Sequence, residues 1–565
     1  MKIKTKAIEY YSLQKALYRF YQLINVERKE ITSVYFYAVI SGFILLSLPL
    51  GIQAITNLLF GGTLSTSLVV LIGIVIVGVL LNGILHVAQM RIIERMQQRI
   101  FTRLTFSYAY RIPRISLLSI DEYYLPELVN RFFDTANLQK GFSKLILDFP
   151  SASIQIVFGL ILLCFYHPVF IVFALIIITL VLLIFYFTSA KGFKTSVIES
   201  DYKYDVAHWL EEISRAIKTF KFNQDHNLHL NRTDKLVNGY LTARDSHFSV
   251  LLSQYRVMIA FKVLITAAML IIGSYLFINQ QINLGQFIAA EIIIITILNS
   301  VEKMIVSLEV VYDVLTSLEK LNKVLDKPQE EEVEADMYTD FSAATGLDIK
   351  INNLSFGYTN EKPVIENVQL HILSGEKICI MGAEGSGKST LLMILAGIYH
   401  EFSGNILFND VPIKMISRKV LHENVSIFLA DEELFSGTLE DNLTIGNKSI
   451  TLAELDRICA IVGLTDYIRS QQNGYHSFLD PQGRKLSYNI VQKILLARCL
   501  AIKPKLLLLE DGWAGIESTI RQQVIEYLTD TKQEFTLIVV TNDEILASHC
   551  QRRVYFDKGS IKLKN

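Results

Sequence analysis

The sequence predicts a membrane domain of α-helices followed by a soluble α/β domain. Its 565 residues are too many for one hydrophobic core, so two or three domains are expected. Residues 34–310 carry long apolar runs, whereas residues 349–565 have the mixed composition of a soluble domain. The predicted organisation is an N-terminal segment (1–33), a transmembrane domain (34–318), a linker (319–348) and the soluble domain.

The N-terminal segment is basic over residues 1–28, and Leu13, Leu17 and Phe20 recur at helical spacing. This pattern predicts an amphipathic helix at the cytoplasmic surface of a membrane. A lead-in helix surrounded by solvent is the alternative. The segment lacks the uninterrupted apolar core of a cleavable signal peptide.

The apolar runs predict six transmembrane helices, since about 20 residues are needed to cross a bilayer. They group into three hairpins with short polar connections. In the second connection, His167-Pro168, the proline cannot continue the preceding helix, so a tight turn is expected. The predicted spans are residues 34–60, 67–90, 151–166, 169–188, 251–278 and 286–308.

The distribution of Lys and Arg predicts the orientation of these helices. The connections at 61–66, 167–168 and 279–285 contain neither residue, whereas 91–150 and 191–250 are rich in both. Basic connections lie on the cytoplasmic side. Because six crossings return the chain to its starting side, the soluble domain is also expected in the cytoplasm, beneath the plasma or inner membrane if the source is bacterial.

The two long basic connections are expected to be helical. Residues 91–110 and 211–222 are amphipathic and contain no helix breaker, so they are predicted to extend the spans into the cytoplasm. The bend at 111–114, which contains Pro113, is suited to contacting another domain. A helical hairpin facing solvent is the alternative.

One carboxylate, Glu291, lies in the last apolar run. A charged group inside a bilayer is costly, and it usually faces a cavity or a partner group. Two roles are open for Glu291, one on a substrate path and one in helix packing or at the membrane interface. Net charge over the whole chain is −1 and no large basic block occurs, so charge gives no reason to expect nucleic acid as a partner.

A phosphate-binding loop opens the soluble domain. Residues 377–381 have the apolar character of a buried strand, residues 382–387 form a glycine-rich turn, and a helix is predicted over 389–396. This strand, loop and helix order is the context that identifies a P-loop. The residues predicted to bind nucleotide are Gly382, Gly385, Ser386, Gly387, Lys388, Ser389 and Thr390. Glycines let backbone N–H groups reach phosphates, Lys388 supplies a positive charge, and Ser389 can ligate Mg²⁺.

Five motifs in order along the chain resemble those of ATP-binding cassette (ABC) transporters, and the six spans before them are similar to an exporter half-transporter. The motifs are Leu354-Ser-Phe-Gly-Tyr358, the P-loop, Leu434-Phe-Ser-Gly-Thr438, Leu486-Ser487 and residues 506–511. The resemblance implies ATP and Mg²⁺ as ligands, with Tyr358 stacked on adenine. The long first cytoplasmic connection and the segment at 49–55 look most similar to type I secretion and peptide exporters.

Two positions that the resemblance assigns to ATP hydrolysis are substituted. Where the family has a glutamine that helps hold Mg²⁺ and the attacking water, this chain has Ala430. The family's Leu-Ser-Gly-Gly-Gln signature is represented by Leu486-Ser487-Tyr488-Asn489-Ile490. Ser487 keeps the hydroxyl that contacts nucleotide bound to the opposite chain, but Tyr488 is expected to obstruct the close approach that glycine permits.

Two further substitutions concern the carboxylates and the switch histidine. The strand at 506–509 ends in Glu510-Asp511, where the family has Asp and then Glu. Glu510 can still serve Mg²⁺, whereas Asp511 is one methylene short for orienting or deprotonating water, and a positioned base is worth about 10²–10⁴ in rate. The family's histidine aligns with Asn542, which can donate a hydrogen bond but does not titrate.

The sequence therefore predicts the ATP-binding subunit of a membrane exporter with slow or partner-dependent hydrolysis. The resemblance implies a homodimer or a heterodimer with a second half-transporter, embedded in lipid, and secretion accessory proteins are possible partners. A peptide, a protein or another amphipathic molecule is the expected cargo. The alternative is a non-hydrolysing component of a larger transport complex, in which nucleotide gates or supports the assembly.

Overall fold

The structure is a computed structural model, and it describes residues 12–60, 66–119, 125–223, 226–330, 341, 345–358, 363–512 and 515–562. The chain divides into two compact units, which are considered separately. The first comprises Met1–Ile115 and Glu122–Pro328, and the second comprises Ser116–Asp121 and Gln329–Asn565.

The described part of the first unit consists of helices joined by short turns. Its helices are α1 (Leu13–Val26), α2 (Arg28–Leu45), α3 (Ser47–Phe60), α4 (Thr66–Arg111), α5 (Leu125–Asn130), α6 (Asp134–Tyr166), α7 (Val169–Arg215), α8 (Ile217–Phe222), α9 (Leu228–Ile278) and α10 (Leu284–Leu325). The buried apolar side chains of its core come mainly from α6, α7, α9 and α10.

The prediction of six transmembrane helices is confirmed. In the described part of the chain, six helical segments are long and apolar enough to cross a membrane. They are Arg28–Phe60, Thr66–Arg114, Leu125–Tyr166, Val169–Arg215, Leu228–Ile278 and Leu284–Leu325. The tight turn between α6 and α7 at His167-Pro168 is also as predicted. The first connection falls almost wholly at residues 61–65, outside the described residues.

The structure differs from the predicted boundaries in three places. The first span is interrupted at Leu46, because Pro49 has no N–H to bond the carbonyl of Leu45. The predicted helix at 211–222 is divided at Ala216, where the backbone leaves helical geometry. The last helix continues to Leu325, past the predicted start of the linker at 319. Most of the remaining linker lies outside the described residues.

The amphipathic N-terminal helix is present as α1, with Leu13 and Phe20 packed on the core of the unit and Tyr18 and Tyr21 exposed. Residues 1–11 lie outside the described residues. The predicted cytoplasmic extension at 91–110 is confirmed as the end of α4, which continues to Arg111 before a 3₁₀ turn at Ile112–Arg114.

The described part of the second unit contains three sheets. The strands are β1 (Ile349–Phe356), β2 (Ile365–Ile372), β3 (Lys377–Gly382), β4 (Ser403–Phe408), β5 (Val411–Pro412), β6 (Val425–Phe428), β7 (Gly437–Thr438), β8 (Phe478–Leu479), β9 (Leu506–Glu510), β10 (Thr536–Val540), β11 (Arg552–Asp557) and β12 (Ser560–Lys562). The orders are β2-β1-β4-β5, β12-β11-β3-β10-β9-β6 and β7-β8.

Helices flank these sheets: α11 (Lys388–Leu395), α12 (Arg418–Asn424), α13 (Leu439–Thr444), α14 (Leu452–Ile461), α15 (Thr465–Ser470), α16 (Tyr488–Ala501), α17 (Ser518–Thr529) and α18 (Glu544–His549). Strands β11, β3, β10, β9 and β6 run parallel, and two apolar cores are built around them. Parallel strands buried on both faces are expected to be continuously apolar, as Leu506–Leu509 and Leu537–Val540 are. The predicted α/β fold of this domain is confirmed.

Candidate functional site

The predicted nucleotide-binding residues meet at the carboxyl edge of the parallel sheet. Strand β3 ends at Gly382, β9 ends at Glu510 and β10 ends just before Thr541. Ligands of open α/β sheets bind outside this edge. The parallel register therefore brings together positions that are more than a hundred residues apart in sequence.

The P-loop connects β3 to α11 and depends on glycine at two positions. A Cβ on Gly382 would lie 2.1 Å from the carbonyl oxygen of Phe556, so a larger residue cannot replace it without moving backbone. Gly387 has φ of +99° and precedes the first residue of α11, a conformation that L-residues rarely adopt. The N-terminus of α11 thus presents N–H groups where a phosphate can bind.

Lys388 is largely buried and is turned onto its own loop. Its Nζ donates to the carbonyl oxygens of Gly382 at 3.0 Å and Ala383 at 2.6 Å, and it lies 3.3 Å from Ser386 Oγ. Burial lowers the pKa of the Lys388 ammonium, and the neighbouring Glu510 opposes that shift. These loop oxygens keep the ammonium beside the turn, at the position where the motif places phosphates.

The two residues predicted to ligate Mg²⁺ contact each other. Ser389 Oγ donates to Glu510 Oε1, and the backbone N–H of Ala430 donates to Glu510 Oε2 at 3.1 Å. A hydroxyl and a carboxylate in contact form the donor pair that Mg²⁺ takes in phosphate-binding sites. Ala430 contributes only its backbone, which agrees with the predicted loss of a side-chain oxygen at this position.

Asp511 is held by residues from other elements. Its Oδ2 accepts a hydrogen bond from Thr541 Oγ1 and lies 3.8 Å from a terminal nitrogen of Arg521, which is itself paired with Asp543. Asp511 Oδ1 is buried and has no hydrogen-bond partner among the described residues. Burial raises the pKa of the Asp511 carboxyl, while Thr541 and Arg521 act in the opposite direction.

The sequence did not identify Thr541, Arg521 or Asp543 as parts of this site. Arg521 lies on α17, and Asp543 caps α18 by accepting from the N–H of Ile545 at 2.8 Å. No local motif joins these residues to Asp511. Only the pairing of β9 with β10 places Thr541 next to Asp511.

Asn542 and Tyr358 both lie beside the P-loop. Asn542 Oδ1 accepts a hydrogen bond from the N–H of Gly382 at 3.2 Å, which holds the side-chain amide against the loop. The Tyr358 hydroxyl lies 2.9 Å from Thr390 Oγ1, and the ring is 37% exposed and packs edge-on to Phe356. Stacking of Tyr358 on adenine and contact of Asn542 with a γ-phosphate stay predictions.

The signature segment begins α16. Ser487 caps this helix, because its Oγ accepts from the N–H of Ile490 at 3.4 Å. Tyr488 is 58% exposed, and its hydroxyl donates to the carbonyl oxygen of Gly512 at 2.9 Å. The tyrosine therefore ties the start of α16 to the segment after β9, at a position where the resemblance expects glycine.

Gly512 also packs closely on the loop that carries Ala430. A Cβ on Gly512 would lie 2.9 Å from Ala430 Cα and 3.0 Å from Ala430 Cβ. This contact therefore favours glycine at position 512. Because the N–H of Ala430 also bonds Glu510, the contact helps fix the loop against the end of β9.

In the membrane unit, Glu291 is half-buried, and its Oε1 has no hydrogen-bond partner in the described part of the chain. Charged pairs that the sequence analysis passed over lie nearer the cytoplasmic ends of the helices. Lys262 Nζ is 2.9 Å from Glu302 Oε2, and Lys303 Nζ is 2.8 Å from Asp148 Oδ1. Charged residues within or beside predicted spans are a signal that could have revealed them.

Two models of ABC transporter domains match this chain. The ABC transporter transmembrane region matches residues 32–301, and the ABC transporter domain matches residues 365–513. The chain belongs to the ABC transporter family. The second domain implies ATP binding, and the six spanning helices identify an integral, multi-pass membrane protein whose nucleotide-binding domain is cytoplasmic.

Individual relatives place the chain among proteins with an exporter architecture. It is 25% identical over 451 residues to the lactococcin-G-processing and transport ATP-binding protein of Lactococcus lactis, covering 77% of this chain and 62% of the relative. It is 25% identical over 290 residues to the alpha-hemolysin translocation ATP-binding protein of Escherichia coli O157:H7, covering 51% and 40%. The chain thus spans less than two thirds of the length of these relatives.

A solved structure gives the same fold. A bacterial Atm1-family ABC exporter with ATP bound superposes with a TM-score of 0.83 at 15% sequence identity, covering 95% of each chain. The chain therefore has the fold of an exporter half-transporter, in which one transmembrane region is followed by one nucleotide-binding domain.

Proposed function

We propose that this protein exports a peptide, a protein or another amphipathic cargo from the cytoplasm, and that it binds ATP tightly but hydrolyses it slowly. The observation that supports this most is that the nucleotide site keeps its phosphate-binding residues but has lost residues that the family uses for hydrolysis. The P-loop has its glycines and Lys388 in place, whereas Ala430, Tyr488 and Asp511 stand where the family has the groups that support hydrolysis.

The residues present fit ATP and Mg²⁺. Lys388 and the N–H groups at the start of α11 would bind the phosphates, and Tyr358 would contact the base. Ser389 and Glu510, already in contact, would hold Mg²⁺. The cation would neutralise charge on the phosphates when bound. Ser389 Oγ would orient the cation, and the Glu510 carboxylate would serve it directly or through water.

Slow hydrolysis is the expected consequence of the remaining geometry. Asp511 is shorter than a glutamate, and one of its carboxyl oxygens accepts a hydrogen bond from Thr541. A base contributes to rate only when it can reach the proton that it removes. Ala430 supplies no side-chain oxygen to orient water, and Tyr488 occupies the entrance to the helix that would face a second nucleotide.

The half-transporter fold implies association with a second half, in a homodimer or in a heterodimer with another half-transporter. In a heterodimer the partner could contribute an intact signature to the P-loop of this chain. The P-loop of the partner would still face Tyr488 and Asn489 of this chain. Each arrangement therefore predicts slower ATP hydrolysis than a pair of half-transporters that keep all the family's motifs. Membrane lipid and secretion accessory proteins are further expected partners.

The cargo class is supported by the relatives. One is named for the processing and transport of lactococcin G and another for the translocation of alpha-hemolysin. The intramembrane Glu291 and the Lys262–Glu302 pair provide polar groups within the helices, as a path for a partly polar cargo requires. Glu291→Gln would leave transport unchanged if that residue serves only in packing.

A non-hydrolysing, ATP-gated or structural component of a transport complex is the second candidate. The observation that favours it is the network around Asp511. Thr541 donates to the carboxylate of Asp511, and Arg521 lies near the same oxygen, so the carboxylate at the position of the base already has other partners.

Steady-state ATP hydrolysis by the full chain in lipid separates the two candidates, with Lys388→Ala and Asp511→Asn as controls. Turnover above background that is lost in both variants is expected for the exporter. Tight ATP binding with no turnover, for the chain alone and with any protein that copurifies with it, would contradict the exporter and support the second candidate.

A further inference from the structure

Two cysteines that are far apart in sequence, Cys379 and Cys550, come together in the nucleotide-binding domain. All five cysteines of the chain are free thiols in this structure. Cys379 is fully buried in the middle of β3, and Cys550 is half-buried at the end of α18. Both contact the same apolar core. Neither thiol takes part in the nucleotide site described above, although Cys379 comes only three residues before Gly382 of the P-loop.

Backbone hydrogen bonds hold the segment that carries Cys550 against β3. The N–H of Gln551 donates to the carbonyl oxygen of Lys377 at 2.9 Å, and the N–H of Lys377 donates to Gln551 Oε1 at 2.9 Å. The residue after Cys550 is therefore bonded to the strand two residues before Cys379.

Helix α18 covers the face of β3 from which Cys379 points. Arg553 lies opposite Cys379 in the parallel ladder of β11 and β3, and paired residues of a ladder point to the same face. The Arg553 Nε donates to the carbonyl oxygen of Ala547 on α18 at 3.1 Å. Cys550 follows Ala547 by three residues and ends this helix, so its side chain is directed toward Cys379.

The two thiols share a hydrogen bond, in which Cys379 donates to the sulfur of Cys550. This bond and the guanidinium of Arg553 lower the pKa of the Cys550 thiol, although burial opposes them. The same bond and burial raise the pKa of the Cys379 thiol. Reactive cysteines are partly exposed and lie beside a positive charge, whereas fully buried thiols are inert. Cys550 is therefore the nucleophile of the pair.

We propose that Cys550 and Cys379 are a redox-sensitive pair, in which a hydroperoxide oxidises Cys550 and Cys379 then closes an intramolecular disulfide. Disulfides in cytoplasmic proteins are usually transient and serve catalysis or redox sensing. Cys550 caps α18 with extended backbone, outside the regular hydrogen bonds of the helix. A small movement there brings the two sulfurs to the bonding distance of about 2.05 Å.

The reaction has two steps. The Cys550 thiolate attacks one oxygen of hydrogen peroxide, the O–O bond breaks, and hydroxide leaves, so that Cys550 becomes a sulfenic acid. Cys379 gives its proton to that hydroxide, its sulfur attacks the sulfur of Cys550, and the S–O bond breaks to release a second hydroxide, which is protonated by solvent. The two cysteines lose two electrons, and the peroxide is reduced to two molecules of water.

Mass spectrometry of the full chain in nanodiscs, without nucleotide, tests the pair. The protein is treated with a few molar equivalents of hydrogen peroxide, denatured, and alkylated with N-ethylmaleimide. We expect two of the five cysteines to escape alkylation, a peptide pair linked through Cys379 and Cys550, and recovery of both thiols with dithiothreitol. Five alkylated cysteines after this treatment, or a disulfide that joins any other two positions, would overturn the proposal.

Variants assign the two roles. Cys379→Ala should form no disulfide and should accumulate a sulfenic acid at Cys550, which dimedone captures. Cys550→Ser should slow the oxidation of Cys379 at least tenfold. Its position is half-buried, so this result remains decisive even if the change at Cys379 in the central strand prevents folding. Cys164→Ser is the matched control, because Cys164 is half-buried on α6 of the membrane unit, and it should form the disulfide as before. Undiminished oxidation of Cys379 in Cys550→Ser would refute the assignment.

A disulfide between the Cys550 residues of two chains is the competing outcome, because Cys550 is the more exposed thiol of the pair. Electrophoresis without reductant should show that the oxidised protein runs as a single chain. A peroxide-dependent covalent dimer that Cys550→Ser abolishes would overturn the proposal. ATP and cargo play no part in these measurements, so failure here is distinct from failure of the proposed function.

Discussion

Replacing Thr541 by valine removes the hydrogen bond that holds Asp511, together with the one that Thr541 Oγ1 accepts from the N–H of Asp543 at 2.9 Å. The substitution keeps a similar shape but removes the hydroxyl that donates to Asp511 Oδ2. Asp511 Oδ1 already lacks a partner among the described residues, and the nearest cation, Arg521, is 3.8 Å from Oδ2. The buried carboxylate would therefore lose its side-chain hydrogen bond from Thr541.

The expected loss is about 1.5–3 kcal/mol, the usual contribution of a hydrogen bond to a charged group. For a domain of roughly 150–250 residues, 1 kcal/mol shifts the unfolding midpoint by about 2–4 °C. Thr541→Val should therefore lower the unfolding midpoint of the nucleotide-binding domain by about 3–12 °C. Differential scanning calorimetry of the full chain in lipid measures this change.

A double-mutant cycle with Asp511→Ala tests whether the loss comes from this pair. The double variant should be less destabilised than the sum of the single variants by about 1 kcal/mol or more, because the same contact is removed in both. Additive effects, within about 0.5 kcal/mol, would show that Thr541 and Asp511 do not interact and would refute this reasoning.

Two other predictions concern the P-loop and the membrane helices. Gly382→Ala should abolish ATP binding, because the added Cβ would lie 2.1 Å from the Phe556 carbonyl oxygen. Gly385→Ala should keep the fold at a backbone cost of about 1–2 kcal/mol, since no atom lies within 4 Å of a Cβ added there. Binding of a fluorescent ATP analogue compares them, and equal loss in both variants would contradict the account. Lys262→Met should destabilise the protein in lipid by about 0.6–1.7 kcal/mol, and adding Glu302→Gln should recover part of the loss. Identical thermal midpoints for the single and double variants would contradict that pairing.

Features with a local physical cause could be predicted from the sequence. The six spans follow from the length of the apolar runs, and the turn at His167-Pro168 follows from the missing N–H of proline. The P-loop was predicted from its own residues, since a buried strand, glycines and a helix start are contiguous there. Glu510 and Asn542 lie beside it, because Glu510 ends β9 and Asn542 comes two residues after the end of β10.

Features that depend on distant pairings could not be predicted. The contact of Tyr488 with Gly512 joins two segments that share no motif. Arg521 reaches Asp511 only because α17 packs near the end of β9, and its charge alone resembles that of any exposed helical arginine. The interruption at Leu46 was missed because Pro49 sits in an apolar run long enough to read as one continuous span.

The central claim is that this chain binds ATP well and hydrolyses it slowly because particular groups are substituted. The most direct test is steady-state turnover, in lipid at saturating ATP, of a variant with Ala430→Gln, Tyr488→Gly, Asn489→Gly, Glu510→Asp and Asp511→Glu. Turnover should rise by about 10² or more, since a positioned base is worth about 10²–10⁴ in rate, while KM for ATP stays within a few-fold. Turnover equal to that of the unchanged chain would contradict the claim.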